Sequence, residues 1–470
     1  MTLLDTLVIH HREREATARA YQTQRNLTDL GNAARFIDAW HDKVRFDHIR
    51  SKWFIWDGRR WMQDERHLIS HLGQLTVRSI YAEAEGLDDE RDRKKTADWA
   101  KSSESAAKIR ALLDLAKGDP QVACATTDFD NHPHLLNTPA GVYDLQTAQL
   151  RPHDPDLMLT KITAISPDPE GESHEFTTFL KNVTLDRPDL IDALHRFLGS
   201  GLSGHSPKER IAVWHGSGAN GKSALAETIR RLLGDYAGAA DISTIERRQR
   251  SGGHSDDLAA LAGIRFVVTS ESNDQVALDE ARVKAMTGGD AVTVSRKFEQ
   301  SFSYVPAFSI AILSNNLPRI GGLDDGIWRR IALFPFDWTV PENQRDNMFV
   351  NRLIEREGPY ILAWLIAGAT LWYKSGYGDL ETVKRATESY RRDEDEIGVF
   401  LHEECELREG ALTSTSDLKR AYEKWCDDNA LKPIQGRAYG SSLKAHGLNQ
   451  KRTAQTRWWV GVELLSGGGD

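Results

Sequence analysis

The chain has 470 residues, 40% hydrophobic and 27% charged, which is too long for one ordinary core and suggests roughly two to four domains. Its 60 Lys and Arg against 69 Asp and Glu leave a formal charge of -9, which excludes a surface coated throughout with phosphate-binding cations and confines nucleic-acid contact to local patches. Tyr360 to Tyr373, the longest apolar stretch, is too short for a bilayer span, Met1 to Arg14 lacks the apolar core of a secretory signal, and Cys124, Cys405 and Cys426 are too scattered for a disulfide framework or zinc knuckle, so a cytoplasmic protein without a membrane partner is expected.

Residues 1–167 are read as one mixed α+β domain. Trp53-Phe54-Ile55-Trp56, the turn Asp57-Gly58 and Arg59-Arg60-Trp61 predict a hairpin. A charged helical region follows from Glu83 to Lys117, and Leu135 to Leu145 predicts another turn between short strands. Asp128-Phe129-Asp130 with His132 and His134 superficially suggests the paired carboxylates of a primase metal site. Asn131 and Pro133 instead mark a turn, and no strand-like apolar run precedes it.

Phe176 to Gly204 is helical by periodicity. Strand-like runs at Ile211–Trp214, Phe266–Thr269 and Ile310–Leu313 then alternate with helices, the pattern of an α/β core with a parallel sheet. After the first of these strands comes the octet Gly216-Ser217-Gly218-Ala219-Asn220-Gly221-Lys222-Ser223, leading into a helix from Ala224 to Leu233. That order suits a phosphate cradle. Glycines let successive N–H groups turn toward phosphate oxygens, Lys222 neutralises the outer phosphates, and the Ser223 hydroxyl can ligate Mg2+. The expected cofactors are ATP and Mg2+.

Hydrolysis needs more than a cradle. Glu271 ends the Phe266 to Ser270 strand, and Asn315 holds the equivalent place after Ile310 to Ser314. Arg329 and Arg330 follow a glycine-rich loop, Gly321 to Gly326, within reach of an adjacent subunit. Between them, Val292–Ser295 and Phe302–Val305 predict a hairpin whose turn carries Arg296, Lys297 and Phe298; cations beside an aromatic suit a strand-tracking channel.

From Asp337 the pattern turns helical through Leu353, Ile361 and Trp372, and a linker from Lys374 to Asp379 leads to a charged helix. Beyond Ile397, Leu418, Ala421, Tyr422 and Trp425 predict a helix capped by Ser416 or Asp417. A second helix at about Tyr439 to His446 and a ribbon from Lys451 to Leu464 complete a winged-helix pattern. From Lys432 through Val462 there are six basic residues (Lys432, Arg437, Lys444, Lys451, Arg452 and Arg457) and no acidic one, a candidate DNA footprint.

Several runs together resemble the superfamily 3 helicases of phage and plasmid primase-helicases, related to poxvirus replicative helicases. They are Arg196-Phe197-Leu198-Gly199, Gly216 through Ser223, Ser270-Glu271, Lys284 with Thr287-Gly288-Gly289-Asp290, Ser314-Asn315-Asn316-Leu317-Pro318 and Ile327-Trp328-Arg329-Arg330-Ile331. The resemblance covers most of the chain. It implies an AAA+ P-loop core at residues 168–345, a helical lid and linker at 346–396 and a winged helix at 397–465. It further implies a hexameric homo-oligomer that draws single-stranded DNA through its pore, 3′ to 5′, to unwind forked duplex in replication of a phage or mobile element.

Carried onto this sequence, Lys222 and Ser223 hold phosphate and magnesium, Glu271 activates water and counts with Ser223 as a metal contact, Asn315 senses the γ-phosphate, and Arg330 or Arg329 is the finger in trans. One departure is Ser270, where many ATPases place an aspartate before the catalytic glutamate. With no zinc quartet or polymerising centre evident, priming is expected from a separate primase or the host. Two other readings compete: an ATP-switched origin-binding initiator or loader, and a small-molecule P-loop kinase.

Overall fold

The computed structural model describes residues 3, 5, 7, 25–205, 211–246, 255–270, 276–294, 301–320, 325–378, 380–429, 431, 433–453 and 456–465, with the side chains of residues 255, 256 and 437 excepted. They fall into two compact units: Met1–Asp144 with Gln149–Ser166, and Leu145–Ala148 with Pro167–Asp470.

In the first unit, Thr28 caps helix α1 (Asp29–Trp40) by accepting the Gly31 amide at 3.0 Å. Strands β1 (Val44–Asp47), β2 (Lys52–Trp56) and β3 (Trp61–Gln63) are antiparallel, and the pairing of Trp56 with Trp61 realises the predicted hairpin. The charged helical region follows α2 (Leu68–Glu85) as two helices, α3 (Glu90–Ser103) and α4 (Ala106–Ala116), because Asp89 and Ser105 each cap a new start. A short β4 (Ala123–Cys124) runs parallel to β1. Phe36, Trp40, Val44, Leu72, Ile80 and Leu112 form the core between sheet and helices. Strands β5 (Leu135–Thr138), β6 (Gly141–Asp144) and β7 (Gln149–Arg151) make a separate antiparallel sheet, with the predicted turn between the first two. Asp130 accepts from the Thr160 amide and hydroxyl, and Asp128 from the Ala125 amide at 2.7 Å. Local structure thus accounts for both carboxylates.

In the second unit, the run from Phe176 to Gly204 is two helices rather than one, α5 (His174–Val183) and α6 (Pro188–Ser200). The break has a local cause. Leu185 and Asp186 adopt left-handed φ of 53° and 54°, and Pro188 cannot continue a helix but fits the first turn of a new one.

Next come β8 (Ile211–His215), α7 (Lys222–Leu233), β9 (Ala237–Asp241), α8 (Ser255–Ala260), β10 (Phe266–Ser270), α9 (Glu280–Thr287), β11 (Val292–Val294), β12 (Phe302–Tyr304), β13 (Ser309–Ser314), α10 (Asp325–Trp328) and β14 (Ile331–Pro335). Five of these strands form one sheet in the order β14-β8-β13-β10-β9, parallel throughout. Ile211, Val213, Val267, Ile310, Ile312 and Leu333 sit in its core, which is why the central strands read as unbroken apolar runs. Strands β11 and β12 pair separately as the predicted hairpin.

The 27-residue helix α11 (Phe349–Ser375) packs along α6. Its Glu357, 4% exposed, accepts the Glu175 and Phe176 amides at 2.8 and 2.7 Å and so caps α5 from outside. Then follow α12 (Glu381–Asp393), α13 (Glu396–Glu404), β15 (Cys405–Ser414), α14 (Thr415–Asp428), α15 (Gly436–Ala445), β16 (Asn449–Arg452) and β17 (Arg457–Leu464). The last three strands form an antiparallel sheet in the order β15-β17-β16. Strand β15 was not foreseen, and it moves the cap of α14 to Ser414 in place of Ser416 or Asp417: the strand ends there, and the Ser414 hydroxyl accepts the Asp417 amide at 3.1 Å. Leu418, Tyr422 and Trp425 are buried as the spacing requires. Among the described residues no helix is long and apolar enough to cross a membrane.

Candidate nucleotide site

The glycine-rich octet lies between the end of β8 and the start of α7. Gly221 has φ 81°, and a Cβ there would lie 2.7 Å from Val183 Cγ1 and 2.9 Å from Phe179 Cε2, so only glycine fits both the turn and the contact with α5. Ala219 holds the rarer left-handed conformation at φ 48°. Its carbonyl accepts the Val340 amide at 2.7 Å, while Asn220 Nδ2 donates to the Phe336 carbonyl at 3.3 Å. Residues 336–340 therefore strap the loop from outside.

Lys222, 4% exposed, donates from Nζ to the Gly216 carbonyl at 2.8 Å, Asn220 Oδ1 at 3.0 Å and Asn315 Oδ1 at 3.1 Å. These acceptors are neutral, and burial lowers the ammonium's pKa from 10.5 to about 8. A phosphate oxygen is a stronger, charge-assisted partner for the same group. The N-cap of α7 is Gly221, which offers no side-chain acceptor, so the first-turn amides suit an anion. The exposed Ser223 lines a hollow with Glu227, Val268, Ser270 and Leu313. Ammonium, amides and hydroxyl together fit a magnesium triphosphate.

The parallel sheet assembles the rest. Ser314 lies opposite His215 and Ser270 opposite Leu313, so the phosphate loop, Asn315 and the chain leaving β10 emerge at one end of neighbouring strands. Glu271 follows Ser270 but lies outside the described residues, as do Arg296, Lys297 and Phe298 in the hairpin turn. Arg329 and Arg330 precede β14 at the other end of the sheet, where the Arg330 carbonyl accepts the Ile211 amide. A strand of that length separates them from the loop by about 15 Å. The pair also divides: Arg329 is exposed, whereas Arg330 is 8% exposed and turned inward.

In the C-terminal segment Lys444, Lys451, Arg452 and Arg457 are exposed, and the Arg437 side chain lies outside the described residues, as does Lys432. Arg452 stands directly opposite Arg457 on the ribbon, and Lys451 opposite Trp458. Like charges placed across a strand pair repel, a cost that a phosphate between them would relieve. Sequence reasoning placed Asn220 in the loop but missed its double role with Phe336 and Lys222. Only the three-dimensional approach of residue 336 makes that visible.

Residues 33–185 match the family model described as D5 N terminal like, and residues 214–330 match a family of unknown function, DUF5906. A protein of Acanthamoeba polyphaga mimivirus named "Putative helicase" is 29% identical over 308 residues, 60% of this chain and 32% of its own. One of Frog virus 3 with the same designation is 24% identical over 326 residues, 65% and 32% respectively. One of African swine fever virus named "Putative primase" is 25% identical over 329 residues, 64% and 34%. The match spans about a third of the length of these relatives. The solved apo structure of the NrS-1 C terminal region overlaps 89% of this chain and 95% of that one, with a TM-score of 0.48 and 12% identity.

The chain is thus a homologue of the proteins named helicases and primases in large DNA viruses. Within that class it has the D5-type N-terminal segment followed by the DUF5906 segment, which accords with a primase-helicase of the D5 type. The resemblance drawn from the motifs holds at that level.

Proposed function

We propose that this chain is the ATP-dependent motor of a replicative DNA helicase: a superfamily 3, AAA+ type ATPase acting as a hexameric ring that moves 3′ to 5′ on single-stranded DNA. The observation that carries the proposal is Lys222, a nearly buried ammonium poised on three neutral oxygens beside the loop, one of them from Asn315, just past the end of the neighbouring strand β13. A solvated lysine on a glycine turn needs no such placement.

In this reading Lys222 and the first-turn amides of α7 bind the phosphates, and Ser223, with Glu271, holds magnesium. Asn315 reports the γ-phosphate to Lys222, and Glu271 takes the proton of the attacking water. Magnesium-bound ATP supplies the phosphoanhydride whose hydrolysis releases the energy. Arg329 is the better finger, because it is exposed while Arg330 is inward, and its distance from its own loop suits action on a neighbour's nucleotide. Arg296, Lys297 and Phe298 grip the strand in the channel, and Arg437, Lys444, Lys451, Arg452 and Arg457 contact duplex through the winged helix.

The trans arrangement has a direct consequence. Arg329→Ala and Lys222→Ala proteins are each expected to lack hydrolysis. In an equimolar mixture about a quarter of the boundaries in randomly mixed rings pair an intact loop with an intact Arg329, so activity returns. Mixtures as inert as the separate variants would remove Arg329 from that role.

A second expectation follows from the lysine's pKa of about 8. Phosphate favours the charged form, so nucleotide affinity is greatest below pH 8 and weakens above it, approaching about tenfold per pH unit until the pKa of the bound state is reached. Without nucleotide the sign is opposite. The unfolded chain, with the ordinary value of 10.5, binds more protons between pH 8 and 10.5, so this residue makes stability rise with pH across that window. Fluorescent-nucleotide titrations at pH 7, 8 and 9 test the first; a flat profile contradicts it.

The function itself is tested by strand displacement from a forked duplex. Sustained ATP-driven unwinding supports the motor. Site-selective duplex binding without unwinding would instead support an ATP-switched initiator or loader, and phosphate transfer to a small acceptor would support a kinase.

A further inference from the structure

Arg330 adjoins the proposed finger, yet its guanidinium is committed within its own protomer. Nε donates to Thr287 Oγ1 at 3.0 Å and Nη1 donates to the Gly326 carbonyl. Thr287, 5% exposed, is the last residue of α9, and its hydroxyl also donates to the Val283 carbonyl at 2.7 Å. From there the chain passes through Gly288, Gly289 and Asp290 into β11, the first strand of the hairpin. On its other side, the Arg330 carbonyl receives the Ile211 amide at the root of β8, the strand that ends in the phosphate loop. Arg330 therefore stands where three paths meet: the hairpin's root, the phosphate-loop strand and the residue next to the finger.

Holding a guanidinium against neutral oxygens at this depth has a desolvation cost that an apolar side chain would avoid. What arginine offers in return is a planar fork that fixes two directions at once, here toward α9 and α10. We propose that Arg330 is a positioning residue that ties the root of the β11–β12 hairpin to the segment bearing Arg329, so that nucleotide state at the subunit boundary and hairpin position change together. This rests on the motor reading above and adds the residue pair through which its two ends communicate.

The test replaces Thr287, which lies outside the proposed catalytic set. Thr287→Val keeps the shape and removes the acceptor, whereas Thr287→Ser keeps the hydroxyl. Both are compared with the parent for DNA-free ATP hydrolysis, DNA-stimulated hydrolysis and base pairs separated per ATP consumed. For Thr287→Val the DNA-free rate is expected to stay within about twofold while base pairs per ATP fall about tenfold, the loss of one hydrogen bond to a charged donor. Thr287→Ser is expected to match the parent, and Arg330→Lys, which loses the fork, to show the same fall in yield. A parental yield from Thr287→Val overturns the proposal. So does an equal loss in DNA-free hydrolysis, or a Thr287→Ser protein as impaired as Thr287→Val, since either marks a packing role. A parent that hydrolyses no ATP fails at an earlier point, removing the motor reading and this inference with it.

Discussion

Lys222→Ala is expected to lose ATP hydrolysis by on the order of a hundred- to a thousandfold, and duplex separation with it, because the charge that meets the outer phosphates is gone. The fold should survive. In the parent this ammonium is nearly buried against neutral oxygens, and its lowered pKa records that burial disfavours the charge. Removing it relieves desolvation as well as deleting hydrogen bonds, so melting temperatures of variant and parent should lie within a few degrees, about the range of a 1 kcal/mol change. Steady-state hydrolysis and a thermal melt, measured side by side, check both halves. Parental turnover by the variant would mean that phosphate is not bound here.

Gly199→Ala has the largest expected effect on stability, and its sign is informative. At an exposed helical position, glycine to alanine gains about 1 kcal/mol. Here α6 and α11 cross so closely that a Cβ on residue 199 would lie 2.2 Å from both the Ala369 nitrogen and the Gly368 carbonyl carbon. Gly368 repeats the constraint from the other helix, since a Cβ there would lie 2.3 Å from the His195 carbonyl oxygen, and the His195 ring stacks on Trp364 with centroids 4.0 Å apart. Backbone cannot yield as a flexible side chain would, so the helices must part, at a cost of about 3 kcal/mol. Because α11 also packs on α7, which begins at Lys222, nucleotide affinity should weaken too. Urea denaturation reads the effect as a lower midpoint; an unchanged or higher midpoint would refute the close crossing.

Much of this was legible in single residues and their spacing, for identifiable reasons. Strands β8, β10 and β13 are buried on both faces, so they appear as unbroken apolar runs. The phosphate loop is a local chemical pattern, and the pairing of Trp56 with Trp61 follows from a two-residue-turn signal between aromatic runs. Edge strand β9 is Ala-Gly-Ala-Ala-Asp, with almost no strand propensity; it forms because the aligned backbone of β10 pairs with it. Strand β15 carries exposed charge through its middle and lacks alternation.

The site was visible in its parts but not in its connections. The bond from Lys222 to Asn315 spans 93 residues, and no local pattern encodes it. Nor does a doublet of arginines say which one turns inward. That choice is made by the hydroxyl of Thr287, 43 residues earlier, and the carbonyl of Gly326.

If ATP bound at Lys222 is consumed in response to DNA, the ATP turnover of the purified protein, measured with and without a single-stranded oligonucleotide, must show it. The parent is expected to hydrolyse ATP faster with the oligonucleotide than without it, and Lys222→Ala to show no turnover in either condition. No hydrolysis, or a rate indifferent to DNA and to Lys222, would contradict this.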